Sequence, residues 1–304
     1  MRPTAVALML LLASNAPSGA ARAAEPAAHA SSITYSASTS LQSLFAAKLA
    51  SGGSAASQRL GVSAGVTWRP APAFSSGVSL NYEAQDWTFE SGPAFGVAPP
   101  WSALERGSVS LPIGLALSPH FVTGFSPFAE WSYEREAGAS DALTYGASLS
   151  AFGILSPRLT LGGGAKVHHQ YFRTKVTPFL VVGWQVSSKV RIANSQAAGP
   201  LGSGGVELRY APAPKWEMSI GGVTRSDRFR LEPEGTPAGD LAEQGGIPAY
   251  ARVSYGVGTR LRADAYAGML ANARLKRWND AGTELVNEEV AAAPAVALVV
   301  SGKW

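Results

Sequence analysis

From Ile33 onward the chain alternates apolar residues with polar or small ones, and it does so over most of its length. A repeat of this kind is the strand period, because successive side chains of an extended chain point to opposite faces. From Phe74 to Trp87 the even positions read Phe74, Ser76, Val78, Leu80, Tyr82 and Ala84. The odd positions read Ser75, Gly77, Ser79, Asn81, Glu83 and Gln85. Between Phe121 and Glu134, Phe121, Phe125, Trp131 and Tyr133 share a face against Ser126, Glu130, Ser132 and Glu134. Leu159, Leu161, Ala165 and Val167 likewise oppose Arg158, Thr160, Lys166, His168 and Gln170.

Short turns rich in Pro, Gly and Ser break the alternation, because Pro presets φ and Gly accepts positive φ. Six are legible: Arg69 to Ala73, Ser118 to His120, Ser156 to Arg158, Ser187 to Lys189, Ala211 to Lys215 and Gly256 to Arg260. The segments between them are longer, and several have polar or acidic middles: Glu90 to Arg106, Leu231 to Gly246 and Asn272 to Glu289. Six turns join twelve strands, and one strand at each end makes fourteen. They run roughly 33–48, 59–68, 74–88, 107–117, 121–135, 141–155, 158–171, 176–186, 190–197, 204–210, 216–230, 249–255, 261–271 and 290–304. Without the first and the 190–197 strand the count is twelve. Tight turns on one side and longer loops on the other are the layout of a transmembrane β-barrel.

A soluble sandwich would alternate too. Three features oppose it. The apolar faces are almost free of charge. Aromatics gather beside the short turns, at Trp68, Phe74, Phe121, Tyr210, Trp216 and Tyr255, as in an interfacial girdle. A looser set, Tyr82, Trp131, Tyr133, Tyr145 and Tyr171, lies toward the loops. The chain also ends on a strand, with Val296, Leu298, Val300, Gly302 and Trp304 on one face. Composition fits the same reading. Charged residues are 15% and mean hydropathy is +0.05, as when one face of every strand meets lipid and the other meets water. The expectation is an all-β protein, a single antiparallel transmembrane barrel over 33–304.

Ahead of the barrel, Arg2, the apolar run Ala5 to Ala13 and Ala21-Arg22-Ala23 form the three parts of a secretory signal peptide, assigned to 1–23. Residues 24–32 are read as a short linker. The formal net charge of +4 comes from scattered basic residues, which gives no nucleic-acid surface. Cysteine is absent, which excludes disulfides, thiolate metal sites and a lipidated N-terminal Cys.

The last strand, closing on Trp304, resembles the assembly signal of Gram-negative outer-membrane β-barrel proteins. The resemblance implies that the barrel assembly machinery reads Trp304, that lipid and lipopolysaccharide surround the protein, and that it resides in the outer membrane. Phe is the usual terminal residue in that superfamily, so Trp304 departs from it slightly. Trp216 to Ile220 and Arg228-Phe229-Arg230-Leu231 resemble a family of barrels to which no activity is assigned.

No catalytic constellation is legible. The His-x-Ser pattern of outer-membrane phospholipases occurs only as His29-Ala30-Ser31, before the barrel, and His168-His169 is followed by Gln170. The two histidines point to opposite faces of one strand, His168 to the lumen and His169 outward. Gly162-Gly163-Gly164 lacks the Lys and Ser/Thr of a phosphate loop and reads as a closely packed stretch of wall. Acidic loop residues (Glu232, Glu234, Asp240, Glu243, Asp280, Glu284, Glu288, Glu289) read as a solvated surface, with divalent cations at the lipopolysaccharide as the other reading. No catalytic residue, cofactor or metal is assigned.

The lumen is the informative surface. The strand registers place nine basic residues there (Arg69, Arg158, Lys166, Arg191, Arg209, Arg225, Arg252, Arg262, Lys303) and six acidic ones (Glu83, Glu130, Glu134, Glu207, Glu217, Asp264). Facing Tyr210 with Trp216, and Tyr255 with Leu261, pairs Arg209 with Glu217 and Arg252 with Asp264. The leading expectation is a pore or facilitator for small polar solutes with a weak anion preference. A closed barrel acting through its outer loops is the alternative, and a lipid-modifying enzyme comes third.

Overall fold

A computed structural model describes residues 31–90, 99–135, 137–194, 205–232 and 240–304. The expected signal peptide, His29 and Glu234 lie outside them. Among the described residues, seventeen strand segments form one sheet: β1 (Ser32–Lys48), β2 (Ser54–Ala71), β3 (Phe74–Glu90), β4 (Ala103–Ser110), β5 (Ile113–Ser118), β6 (Phe121–Glu134), β7 (Leu143–Ser156), β8 (Leu159–Gln170), β9 (Arg173–Gln185), β10 (Val190–Asn194), β11 (Val206–Ala213), β12 (Trp216–Gly222), β13 (Arg225–Arg230), β14 (Leu241–Val257), β15 (Leu261–Trp278), β16 (Glu284–Val290) and β17 (Ala293–Lys303). Short breaks at Leu111-Pro112, Val223-Thr224 and Ala291-Ala292 each divide one stave into two segments (β4/β5, β12/β13 and β16/β17), so the barrel has fourteen staves.

Closure is made by the first and last strands. β1 pairs antiparallel with both β2 and β17, and Leu41 faces Leu60 on one side and Leu298 on the other. Trp304 and Tyr35 exchange two backbone hydrogen bonds of 2.9 and 3.0 Å, so the C-terminal residue pins the seam. The strand at 33–48, on which the count of fourteen depended, is present as β1, and that at 190–197 is present as β10 over Val190–Asn194, with 195–197 outside the described residues.

Alternation places the apolar residues outside. Leu41, Leu149, Leu180, Ile220 and Leu298 are each more than half exposed to the barrel's surroundings, and a bilayer covers such a surface. At the end holding Ser32 and Trp304, exposed Trp68, Phe121, Trp184, Tyr210, Trp216, Tyr255 and Trp304 form the girdle. All six short turns lie at this end, the periplasmic one, joining β2 to β3, β5 to β6, β7 to β8, β9 to β10, β11 to β12 and β14 to β15. Gly258, at φ +66°, supplies the left-handed residue that the last of these turns needs.

Two features of the outer end differ from the sequence reading. Connections 49–53 and 171–172 are tight, although long loops were expected throughout this end. The polar stretch at Asn272 to Glu289 is largely strand, since β15 runs to Trp278 and β16 spans Glu284–Val290, and Leu241 to Gly246, the end of the other polar stretch, opens β14. A transmembrane strand needs about 9–11 residues. The 17 residues of β14 and 18 of β15 therefore carry the wall beyond the hydrocarbon, where charge on both faces is no penalty.

Gly162 and Gly164 are wall-packing glycines. A Cβ on Gly164 would lie 2.3 Å from the Phe179 ring, and one on Gly162 would lie 2.4 Å from Phe152. The triple glycine therefore lets two phenylalanines from the neighbouring strands close onto β8.

Candidate functional site: the lumen

The outer half of the lumen is built by a strand that leaves the wall. After the break at Val223-Thr224, β13 stays paired with β14, Arg225 opposite Gly246 and Arg230 opposite Leu241. Its far end also meets β6 in parallel, Arg230 beside Tyr133. β6 is the fifth stave and β12/β13 the eleventh, so β13 reaches across the interior to the opposite wall. Both of its faces are covered. Arg225, Asp227 and Phe229 turn toward β2, β3 and β4. Arg228 and Arg230 turn toward the β8–β9 connection, with Arg228 5.6 Å from the Phe172 ring and Arg230 5.2 Å from that of Tyr171. The sequence Arg-Ser-Asp-Arg-Phe-Arg carries charge on both faces, which a lipid-facing wall cannot tolerate and a segment inside protein can.

An ion network ties β13 to the far wall. Asp227 is fully buried and pairs with Arg225 at 2.7 Å, Arg106 at 3.1 Å and Arg59 at 3.8 Å. Arg59 also reaches Glu83 at 3.1 Å, and Arg106 reaches Glu83 at 3.6 Å and Glu130 at 3.5 Å. Gln85 and Gln244 exchange side-chain hydrogen bonds across the lumen at 2.9 and 3.3 Å. Three arginines meet three carboxylates here, so the cluster is neutral.

A second network lies nearer the periplasm, within adjacent staves. Arg252 is fully buried and donates to Glu207 and Glu217, each at 2.8 Å, and to Asp264 at 3.1 Å. Arg262 donates to Glu217 and Asp264 at 2.8 Å, and Arg209 to Glu207 at 2.9 Å. The Tyr250 hydroxyl donates to Glu207 at 2.7 Å. This cluster is again three against three.

The expected pairs are therefore half right. Arg252 does bind Asp264, although Ser254 is the residue opposite Asp264, so the bond is diagonal. Arg209 binds Glu207, two residues along its own strand, and Glu217 binds Arg252 and Arg262. The cause is the turn. Ala213, not Tyr210, faces Trp216, and an irregularity between Tyr210 and Ala213 moves Arg209 opposite Ser219.

Glu83, Glu130, Lys166, Arg209, Glu217, Arg225, Arg252, Arg262 and Asp264 all lie on inner faces; Lys166 sits 4.1 Å over the Phe128 ring. Arg158 lies in the exposed β7–β8 turn, at the rim rather than along the wall. His168 is buried on the inner face, and His169 stands beside Tyr145 at 5.7 Å. Arg59, Arg106 and Asp227 were missed. Arg59 opens an expected strand and Arg106 lies one residue outside another, where the two-residue repeat does not assign a face. Charge on alternate faces at 225–230 was the signal for Asp227.

Above the Asp227 network the inner surface is apolar. Leu44, Ala55, Trp87, Leu270, Leu275 and Val290 line a cavity whose polar edge is Ser57, Arg225 and Gln244. Trp87, Phe89 and Trp101 pack ring against ring beside it, at 5.3 to 6.1 Å. At the periplasmic mouth the inner face instead carries Arg69, Arg191 and Lys303, which form no ion pair among the described residues.

No protein-family model matches the chain, and no curated protein matches it in sequence. It is similar in structure to an outer-membrane channel from Pseudomonas putida F1, at 8% identity and TM-score 0.48, over 94% of this chain and 100% of that one. It is also similar to the P. putida toluene transporter TodX, at 9% identity and TM-score 0.43, over 89% of each chain. Likeness to P. putida OprB is at 7% identity and TM-score 0.35, over 90% and 94%. A closed fourteen-stave barrel with an apolar belt and an aromatic girdle is the architecture of a β-barrel that spans a membrane.

Proposed function

We propose that the barrel is a passive facilitator for small solutes with a weak preference for anions. The carrying observation is the change along the lumen from an apolar outer cavity to a basic periplasmic mouth. With both ion networks neutral, Arg69, Arg191 and Lys303 set the sign of the potential there, and a positive potential concentrates anions. An apolar outer half shifts the expected solute from purely polar molecules to small amphipathic ones carrying an anionic group. Liposome uptake of benzoate should exceed that of the cation benzylamine, and reversal potentials should favour anions less as salt rises. Equal uptake of both, or a cation preference at low salt, overturns the reading.

The closed-barrel reading is favoured by one observation, the burial of both faces of β13. Planar-bilayer recording separates the two, since folded protein that never conducts supports the closed barrel. The same proposal includes an export signal in residues 1–23 and recognition of the final strand by the barrel assembly machinery, supported by the place of Trp304 at the seam.

A further inference from the structure

The periplasmic turns form a ring of one charge sign. Arg158, Lys189, Lys215 and Arg260 each occupy a different turn and are exposed, and His120 occupies a fifth. Arg69 and Lys303 stand at the same end but on the inner face, so they belong to the mouth and not to this ring. None of the six turns contains Asp or Glu. The nearest acids, Glu217 and Asp264, are on the inner face and bound to Arg252 and Arg262. The outer end is different in kind, since its basic residues are interleaved with acids, as in Arg135 with Glu105, Arg274 with Glu289 and Lys276 with Glu284.

Depth decides what this ring meets. Lys215 adjoins exposed Trp216, and Lys189 shares its hairpin with exposed Trp184. Indole rings settle at the headgroup level of a bilayer. The charges beside them are therefore held at the level of the lipid phosphates, and each Lys or Arg there is attracted to anionic lipid. We propose that the turn residues Arg158, Lys189, Lys215 and Arg260 form a docking ring for anionic phospholipid headgroups in the periplasmic leaflet, which sets the depth and tilt of the barrel.

The test uses purified full-length protein in vesicles containing brominated phosphatidylglycerol or brominated phosphatidylcholine, with quenching of the interfacial tryptophans as the readout. Wild type should favour phosphatidylglycerol by roughly threefold, less in high salt. The combined variant Arg158→Gln, Lys189→Gln, Lys215→Gln and Arg260→Gln should lose that preference while keeping its heat-modifiable folded band. Failure of the combined variant to fold leaves Lys215→Gln with Arg260→Gln, which should lose about half of it. No preference in wild type, or full preference in a folded variant, overturns the proposal. So does full competition by millimolar inorganic phosphate, which assigns the ring to a soluble anion. Retained lipid preference with lost co-sedimentation on purified peptidoglycan assigns it to the wall polymer instead.

Discussion

The two ion networks have the same charge count and opposite architectures. The Arg252 cluster joins β11, β12, β14 and β15, which are neighbours in the wall, so its bonds reinforce pairings that the backbone already makes. The Asp227 cluster joins β13 to β2, β4 and, through Arg106, to Glu130 of β6 across the interior. Among the described residues, apart from one residue of contact with β6, no backbone ladder bridges that span, so side chains hold it. Buried ions cost several kcal/mol each to desolvate, and mutual pairing returns that only in good geometry. The wall cluster therefore adds rigidity where strand pairing already exists. The cross-lumen cluster determines whether the outer half is divided.

The largest effect should come from the seam, on which both networks depend. Trp304→Asp puts a charge at the interfacial end of the closing strand and should lower the heat-modifiable outer-membrane band by roughly tenfold. Wild-type levels of folded protein would show that Trp304 is not needed for assembly.

Asp227→Ala comes next. It leaves Arg59, Arg106 and Arg225 buried with one carboxylate fewer, at a cost of about 3–5 kcal/mol to that packing. The strain has an outlet, since β13 can withdraw from the far wall while the barrel stays closed. Single-channel conductance should therefore rise several-fold. Unchanged conductance in a folded variant would mean that β13 does not limit passage.

Arg252→Met sharpens the contrast. It removes a buried hub but leaves Arg209 on Glu207 and Arg262 on Glu217 and Asp264. The folded band should melt at lower temperature, by a loss of about 2–3 kcal/mol, with conductance unchanged. A conductance change as large as that of Asp227→Ala would erase the distinction between the two clusters.

The smallest effect concerns the mouth. Combining Arg69→Gln, Arg191→Gln and Lys303→Gln should reduce anion preference by about twofold at 0.1 M salt and hardly at all at 1 M, where the Debye length is near 3 Å. Reversal potentials in a salt gradient measure it, and an unchanged preference at low salt would place the selectivity elsewhere.

Much of this molecule was legible in the residues because lipid on one side and water on the other impose a two-residue repeat that slipping would reverse. That rule specified the barrel, its fourteen staves, its six periplasmic turns, and the inner face of Lys166, Arg252 and Asp264. It failed where its premise failed. Beyond the bilayer the strands of β14, β15 and β16 face no lipid, so their charged faces looked like loops. Local periodicity also says nothing about which stave bends inward, because β13 is held by partners 121 to 168 residues away, Arg106 and Arg59 on Asp227. The β11–β12 turn is a local exception, since two residues close it with Ala213 facing Trp216, which leaves Arg209 opposite Ser219 rather than Glu217. Sequence alone determined which side of each strand meets lipid, because that is a local free-energy choice. Only the tertiary structure decided what fills the lumen, because long-range ion pairs and apolar contacts among distant staves select one inward path among many.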